Sequence, residues 1–550
     1  MFDFRHLRGD LYGGITAGVV ALPLALAFGE ASGAGPIAGL WGAIITGFFA
    51  ALFGGTNTQI TGPTGPMVVV FAGLVGPLTI NGERPFEEVA GIIFAAVVLA
   101  GLIQIAMGIF RIGQYIRLVP YPVISGFMSG IGVIIILLQA SRLFGSAPEA
   151  GGTIAAIQAI PGAILNPDLA ATGIAFVALA IVFFWPKAIG KYLPAPLAAL
   201  IAATLLALPF DIPKLAADLP EFSSFADRLP AFVVPQFDGD VMFLIVQAAI
   251  TLAVLGAIDS LLTSLVADNA TRTRHDSNKE LIGQGIANTI AGLFSAIPGA
   301  GATMRTMVNI RTGGMTRISG MVAGLLLLAV VLALTPMAAV IPHAVLAGIL
   351  IKVGWDIIDF SYILRAHKGP RWDLALMAIV LLVTVFVDLI TAVGIGVFLA
   401  ALGFVHSIAK DQLEAIGSED LTPMSPEEKA IFKAQKGRIG IFEFNGPLSF
   451  GAAADIAHRV RENVSAQEVL ILDFAQNPSL DVSAAYAVQS IIEDAEREER
   501  FLLLANASSN VIGQLEGLGI TKLLTIGRLT MNRLEALQYA EELLSRVERS

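Results

Sequence analysis

Long apolar runs recur at short intervals through the first 410 positions. A helix needs about 20 apolar residues to cross a bilayer. By that measure the runs predict about fourteen spans, at 13–29, 36–53, 61–77, 89–110, 119–139, 168–185, 193–209, 241–264, 280–296, 302–311, 318–338, 342–358, 373–388 and 390–408. The third and tenth, TGPTGPMVVVFAG and PGAGATMRTMVNI, begin with Gly/Pro-rich stretches and are poor spans on their own. From about residue 437 the pattern changes. GRIGIFEFNG, VLILDFA and FLLLANA read as strands, with AAADIAHRVREN and AYAVQSIIEDAERE as charged helices between them. Such alternation predicts a small α/β domain with a buried sheet. The chain thus divides into a membrane domain over 1–410, a polar linker over 411–436 and an α/β domain over 437–550.

Charge sets the orientation. Arg5, Arg8, Arg111, Arg117, Lys187, Lys191, Arg272, Arg274, Lys279, Arg311, Arg317, Arg365, Lys368 and Arg371 all fall on one side of the predicted membrane. The positive-inside rule makes that side cytoplasmic. The other side carries Glu83, Glu87, Glu88, Asp211, Asp218, Glu221, Asp227, Asp238 and Asp240, relieved by Arg84, Lys214 and Arg228. A multi-pass protein of a bacterial inner membrane, with both termini and the α/β domain in the cytoplasm, is the expectation. The chain is 55% hydrophobic and 14% charged, against about 25% charged in soluble proteins. The basic start MFDFRHLRGDLYGG runs straight into the first apolar segment, which is expected to remain as a span rather than be cleaved. Absence of cysteine excludes disulfides and thiol chemistry. The net charge of −10 argues against nucleic acid as a partner. Neither GxxxxGK[ST] nor a post-strand GxGxxG is present, and no Ser/His/Asp set or paired carboxylates suggest an enzyme, so neither an ATP-driven pump nor catalysis nor a cofactor is expected.

An internal repeat sharpens this picture. GFFAALFGG (47–55) resembles GLFSAIPGA (292–300), about 245 positions later, and each runs into one of the two short spans. Thr64 and Met67 in one short span match Thr303 and Met304 in the other. Seven spans per repeat is an odd number, so the second half is inverted relative to the first. Inverted repeats with paired broken helices are the signature of secondary transporters. The two half-helices should point their N-termini at each other near mid-membrane. Free N–H groups and the helix dipole there attract an anion without a basic side chain. Glycines 62, 65, 299 and 301 allow close approach of backbone to the ligand.

Asp259 is the one ionisable residue in MFLIVQAAITLAVLGAIDSLLTSLVA (242–267). A lone carboxylate in such a run is costly and marks an ion path. Ser260, Thr263 and Ser264 add neutral oxygens nearby, a donor set suited to a hard cation such as Na⁺. Coupling to a cation also makes energetic sense. Moving one negative charge inward against 100 mV costs about 2.3 kcal/mol, and one Na⁺ cancels it.

Ordered motifs extend across the chain: RGDLYGG, ALPLALAFG, ASGAG, LFGGT, PTGPM, YPVISGFMSGIG, IDSLLTSLVAD, TRTRHDSNKELIGQG, PGAGATM, IPHAVLAGI and KVGWDIID. They resemble the SulP family of anion transporters, closest to its BicA-type sodium-dependent bicarbonate members, and the C-terminal part resembles a STAS domain. The resemblance implies a core domain moving against a gate domain, in a homodimer. It implies a sodium site from Asp259, Thr263, Gly301, Ala302, Thr303 and Thr64, and bicarbonate near the amides of Gly65, Met67, Ala302, Thr303 and Met304. Arg305 departs from the BicA-type pattern, which has a small residue there; many other SulP members carry an arginine linked to anion binding. Facing the gap, Arg305 would pair with Asp259 or favour sulfate or a dicarboxylate; facing the cytoplasm, it would be an anchor. Thr303 and Arg305, two apart, should lie on nearly opposite helix faces. Ser483 in DVSAA matches the phosphorylatable position of anti-sigma antagonists.

Among other ionisable residues, Asp388 is expected at an interfacial turn, Asp356 and Asp359 as caps or facing the cytoplasm, His343 as structural, and Glu30 as a candidate for an access route. The expected function is a Na⁺:bicarbonate symporter working by an elevator-like movement. The alternatives are a proton- or sodium-coupled sulfate or dicarboxylate transporter, and an anion channel or a scaffold whose STAS domain carries the function.

Overall fold

The computed structural model describes residues 4–79, 85–114, 120–146, 153–190, 193–215, 229–338, 340–387, 389–414, 423–435, 437–444, 460, 467–477, 479–524 and 531–547. Asp388 and nearly all of AAADIAHRVREN (452–463) lie outside them. The chain forms two compact units, Met1–Phe398 and Leu399–Ser550.

The first unit realises each predicted span as a helix. Its first half contains α1 (Leu7–Ala31), α2 (Pro36–Phe53), α3 (Gly65–Leu78), α4 (Phe86–Ile109), α5 (Tyr121–Leu143), α6 (Thr153–Leu165), α7 (Leu169–Phe184), α8 (Lys187–Gly190) and α9 (Ala195–Ala207). The second contains α10 (Met242–Thr271), α11 (Ser277–Leu293), α12 (Thr303–Arg311), α13 (Arg317–Ala338), α14 (His343–Ile357), α15 (Phe360–Ala366), α16 (Arg371–Phe386) and the start of α17 (Leu389–Glu414), which continues past Phe398. Three pieces were not anticipated: α6, α8 and α15. Helix α6 has 13 residues with Pro161 inside and bends by 115° into α7. It is too short to register as a span.

The packing obeys the repeat. Helix α4 packs on α11, as α13 packs on α2; α1 packs on α13, as α10 packs on α4. The half-helices follow suit, α12 against α1 and α3 against α10. Outside this group, α5 packs on α16 as α14 packs on α7, while α2–α11 and α5–α14 pair across the pseudo-twofold axis. Thus α1–α4 interleave with α10–α13, and α5, α7, α14 and α16 form a second cluster. Lipid gives no hydrophobic drive between helices, so close approach of small residues holds them. At the α4–α11 contact, a Cβ added to Gly101 would lie 2.6 Å from Gly285 O, and one added to Gly285 2.5 Å from Gly101 O.

Helix α11 has a polar stripe at four-residue spacing, Glu280, Gln284 and Asn288, all buried. The Glu280 carboxylate is 1% exposed. It accepts from the amides of Gly55 and Thr56, both at 2.8 Å, and from Gln59 Nε2 and Gln284 Nε2, also at 2.8 Å. Asn288 donates to Gly299 O at 3.0 Å and accepts from its amide at 2.9 Å. One helix therefore straps down both chain segments that lead into the half-helices.

The second unit is an α/β domain. Strands β3 (Ile439–Glu443), β4 (Val469–Asp473) and β5 (Phe501–Ala505) form a parallel sheet in that order. Their side chains alternate between two apolar layers. Phe442, Leu470, Leu472, Leu502 and Leu504 pack with α19 (Val482–Arg497) and α20 (Ser509–Gly517). Ile439, Ile441, Val469, Ile471 and Leu503 pack with α21 (Arg533–Val547). The stretch expected as linker differs from that reading. Pro426–Ala434 is a helix, α18, opened by a capping box of Ser425 and Glu428. Its Ile431 and Phe432 pack against the second layer, an apolar pair hidden in a segment whose charge made it read as solvated.

Candidate functional site

Two extended dipeptides open the half-helices. Strand β1 (Thr61–Gly62) pairs antiparallel with β2 (Ala300–Gly301), placing Thr61 opposite Gly301 and Gly62 opposite Ala300. Pro66 at the second position of α3 fixes a helical φ where no intrahelical N–H bond is needed. Thr64 and Ala302 are the N-caps, and neither uses its side chain to cap its helix. The first intrahelical bonds run from Val68 N to Thr64 O and from Thr306 N to Ala302 O, at 3.0 and 2.9 Å. The amides of Gly65, Met67, Thr303, Met304 and Arg305 therefore have no intrahelical acceptor. The Ala302 amide differs from the expected set, because it donates to Ile60 O at 2.9 Å within the strand crossing.

Helix α10 passes beside the crossing. The Thr64 hydroxyl donates to Asp259 Oδ2 at 3.0 Å. One turn along, Thr263 Oγ1 donates to Gly301 O at 3.0 Å and lies 2.8 Å from Thr303 Oγ1. A hydroxyl has one proton, so Thr303 is the donor in that pair. Asp259 and Thr263 share a helix face at i, i+4. Carboxylate, hydroxyl and carbonyl oxygens from three chain segments are thereby brought together. Among the described residues no group of three or more His, Cys, Asp or Glu could hold a metal ion; this oxygen set suits a hard monovalent cation. Ser260 and Ser264 do other work than ligation. Ser260 Oγ accepts from the Gly301 amide at 3.0 Å, and the one Ser264 proton is shared between Ser260 O at 2.8 Å and Gln59 Oε1 at 2.9 Å.

A cavity of about 430 Å³ lies against this arrangement. Thr64, Gly65, Asp259, Gly301, Ala302, Thr303, Met304 and Arg305 line one side of it. Thr263 and Met67 stand behind that wall; Met67 is fully buried, with its sulfur toward Gly256.

Arg305 lines the cavity, is 2% exposed, and donates to Pro63 O at 2.6 Å. It does not face outward as an anchor, nor is it ion-paired with Asp259 among the described contacts. Thr303 and Arg305, two apart on α12, both line the cavity, for a geometric reason. The cavity lies beyond the N-terminus of α12, so first-turn residues on every face reach it. A Cβ on Gly62 would lie 2.5 Å from Arg305 Nη1, which explains glycine there.

The rest of the lining comes from residues outside the expected site: Met128, Val182, Ala195, Pro196 and, from α14, Ile349, Lys352, Val353, Asp356 and Ile357, the last packed against Gly65. Asp356 lines the cavity from the last turn of α14, is exposed there, and is ion-paired with Lys352 one turn back. Lys352 is the sole lysine in HAVLAGILIKVGWDI, an ammonium within an apolar run, which is a readable signal for an ion path. Asp359, by contrast, is the N-cap of α15 and accepts from Tyr121, Ser125 and Ser361 hydroxyls, each at 2.8 Å. Burial would raise its carboxyl, but these bonds and the Tyr362 amide outweigh it and hold it below the usual carboxylate range. Glu30 and His343 meet elsewhere: Glu30 is 2.8 Å from Arg142 and 3.0 Å from His343 Nδ1, beside a second cavity of about 340 Å³. In the second unit, Ser483 is exposed in the first turn of α19, two residues after the N-cap Asp481.

Comparison with known proteins agrees with this architecture. Residues 7–380 match the sulfate permease family and residues 430–533 match the STAS domain. The chain is 43% identical to the bicarbonate transporter BicA of Picosynechococcus sp., over 98% of this chain and 95% of that one. It is also 43% identical to the Synechocystis sp. BicA, with the same coverage. A putative sulfate transporter of Bacillus subtilis, YvdB, is 30% identical over 92% of this chain and 93% of its own. The solved transmembrane domain of a cyanobacterium bicarbonate transporter BicA is 47% identical and superposes with a TM-score of 0.66, over 71% of this chain and 98% of that one. The murine Solute Carrier 26 family member A9 anion transporter, 17% identical, shares the fold with a TM-score of 0.79 over 98% of this chain and 92% of its own. The chain belongs to the sulfate permease (SulP) family of membrane transporters, with a C-terminal STAS domain.

Proposed function

We propose that this chain is a Na⁺-coupled bicarbonate symporter of a bacterial inner membrane. It works as a homodimer, by an elevator-like movement of the α1–α4 and α10–α13 group against the second cluster. Both termini are cytoplasmic in this reading. The observation that carries it is the Thr64–Asp259 hydrogen bond beside the Thr263–Thr303–Gly301 cluster. A cation bound by Asp259, Thr64, Thr263, Thr303 and the Gly301–Ala302 backbone would lie directly beside the half-helix amides of Gly65, Met67, Thr303 and Met304. Each ion then lowers the electrostatic cost of the other, which is what obligatory coupling requires. Two relatives with the name bicarbonate transporter, at 43% identity over nearly full length, support the choice of anion.

A second reading has one observation in its favour. Arg305 reaches the cavity wall, and an added positive charge suits sulfate or a dicarboxylate, as the similarity to YvdB also allows. The test is uptake of labelled bicarbonate, sulfate and fumarate into proteoliposomes, with and without an inward Na⁺ gradient. Sodium-stimulated uptake confined to bicarbonate is expected. Sodium-independent uptake of sulfate or fumarate overturns the symporter reading in favour of the second. Anion flux with no cation dependence and no accumulation indicates a channel.

A further inference from the structure

The cavity has two unlike parts. On the half-helix side an anion meets backbone amides. Away from them Met128, Val182, Ala195, Pro196, Ile349 and Val353 are apolar, and Lys352 and Asp356 are the charged residues. An ammonium inside a span is costly and is found where it serves an ion path. Lys352 lies ten residues into α14, with its Nζ 5.2 Å from the Phe183 ring centroid.

How the partner carboxylate is held decides between a structural and a working role. Structural carboxylates in this chain are held by several bonds: buried Glu280 accepts four N–H bonds, and half-buried Asp359 accepts from three hydroxyls and an amide. Asp356 accepts from Lys352 alone among the described contacts. The two side chains are 23% and 32% exposed. Ion pairs at i, i+4 with water access are weak, so an anion in the cavity can compete with Asp356 for the ammonium. Arg305 is buried on Pro63 O and has no such freedom.

We propose that Lys352 is a second anion-binding residue of the transport path, a station for a small monovalent oxyanion in the same cavity as the half-helix amides, and that Asp356 takes the ammonium back when no anion is present. An anion leaving the amides thus passes to an ammonium instead of an apolar wall, and Asp356 prevents the station from holding it. This rests on the transporter reading above, and deepens it by adding a residue that sets anion affinity.

The two partners make opposite predictions. Lys352→Gln removes the station, and the anion KM rises about tenfold, the worth of one hydrogen bond to a charged group. Asp356→Asn removes the competitor, and the anion KM falls several-fold. The Na⁺ concentration for half-maximal uptake stays within about twofold in both. Uptake is measured in proteoliposomes of full-length protein, with whichever of bicarbonate, sulfate or chloride the wild-type chain carries. Wild-type failure on bicarbonate but uptake of sulfate or chloride overturns the proposed substrate and the monovalent-oxyanion class of the station, while the opposite KM shifts still test whether Lys352 and Asp356 act on the anion carried. Shifts in the same direction, or an unmoved KM in either variant, overturn the station. Should Lys352→Gln fail to assemble, Asp356→Asn decides alone, being near-isosteric and half-exposed.

Discussion

Glu280 offers a demanding test of how the site is built. Its carboxylate accepts four N–H bonds, two from the backbone of the segment before β1 and two from the side chains of Gln59 and Gln284. Replacement by alanine strands all four donors in a buried place. At about 1–3 kcal/mol for each unsatisfied donor, the loss is about 4–12 kcal/mol, comparable with the whole stability of an ordinary domain, about 5–15 kcal/mol. Glutamine is milder. Its carbonyl can stay on the Gly55 and Thr56 amides, while its NH₂ turns to the side where Gln59 can flip to present an oxygen. Bonds to a charge become bonds to a neutral group and one is lost, so about 2–4 kcal/mol is expected. The flip also turns the Gln59 NH₂ toward Ser264, which is left with Ser260 O as its acceptor, carrying the change to α10. Unfolding of the purified protein in detergent, followed by tryptophan fluorescence, measures this. Glu280→Gln should assemble with a lowered midpoint, and Glu280→Ala should not accumulate as monodisperse protein. An alanine variant as stable as wild type would falsify the strap.

Asp259→Asn should insert normally and lose sodium-dependent uptake; full activity sinks the cation site. Thr303→Val removes the hydroxyl that donates to Thr263 and should raise the Na⁺ concentration for half-maximal uptake, whereas an unchanged sodium curve takes Thr303 off the ligand set. Gly299→Ala would bring a Cβ within 2.5 Å of Thr46 Oγ1 and 2.8 Å of Gly62 C. It should abolish transport by forcing β1 and β2 apart, and retained wild-type rates would show that the crossing tolerates displacement.

Much of the fold was legible because lipid imposes simple rules on sequence. Apolar length marked the long spans, the Gly/Pro-rich openings marked the two half-helices, and the odd repeat number gave the inversion that the mirrored packing then obeys. What escaped was structure that those rules do not govern. Helix α6 is too short to cross, and α18 hides two packing residues, Ile431 and Phe432, among charges. At the site, Asp259 stood out because it is solitary, and Thr64 and Thr303 because the repeat aligns them. Glu280, Gln284 and Asn288 carried a readable signal, their four-residue spacing along α11. Lys352 was readable as an ammonium within a span, though it shares α14 with His343 and Asp356. Arg305 could not be placed by helix phase, since phase says nothing at a helix end that points into a cavity.

The pairing of β1 with β2 has a consequence for how the protein is made. Thr61 finds its backbone partner in Gly301, 240 positions later. At about 5–20 residues per second, a ribosome needs about 12–48 s to deliver that partner. Through this interval the newborn first half stands in lipid with unpaired peptide groups, which hydrocarbon penalises heavily. Its biogenesis therefore calls for shelter, from the insertion machinery or a membrane chaperone, until the second half arrives. A stop codon between the halves should leave a fragment that quality-control proteases clear.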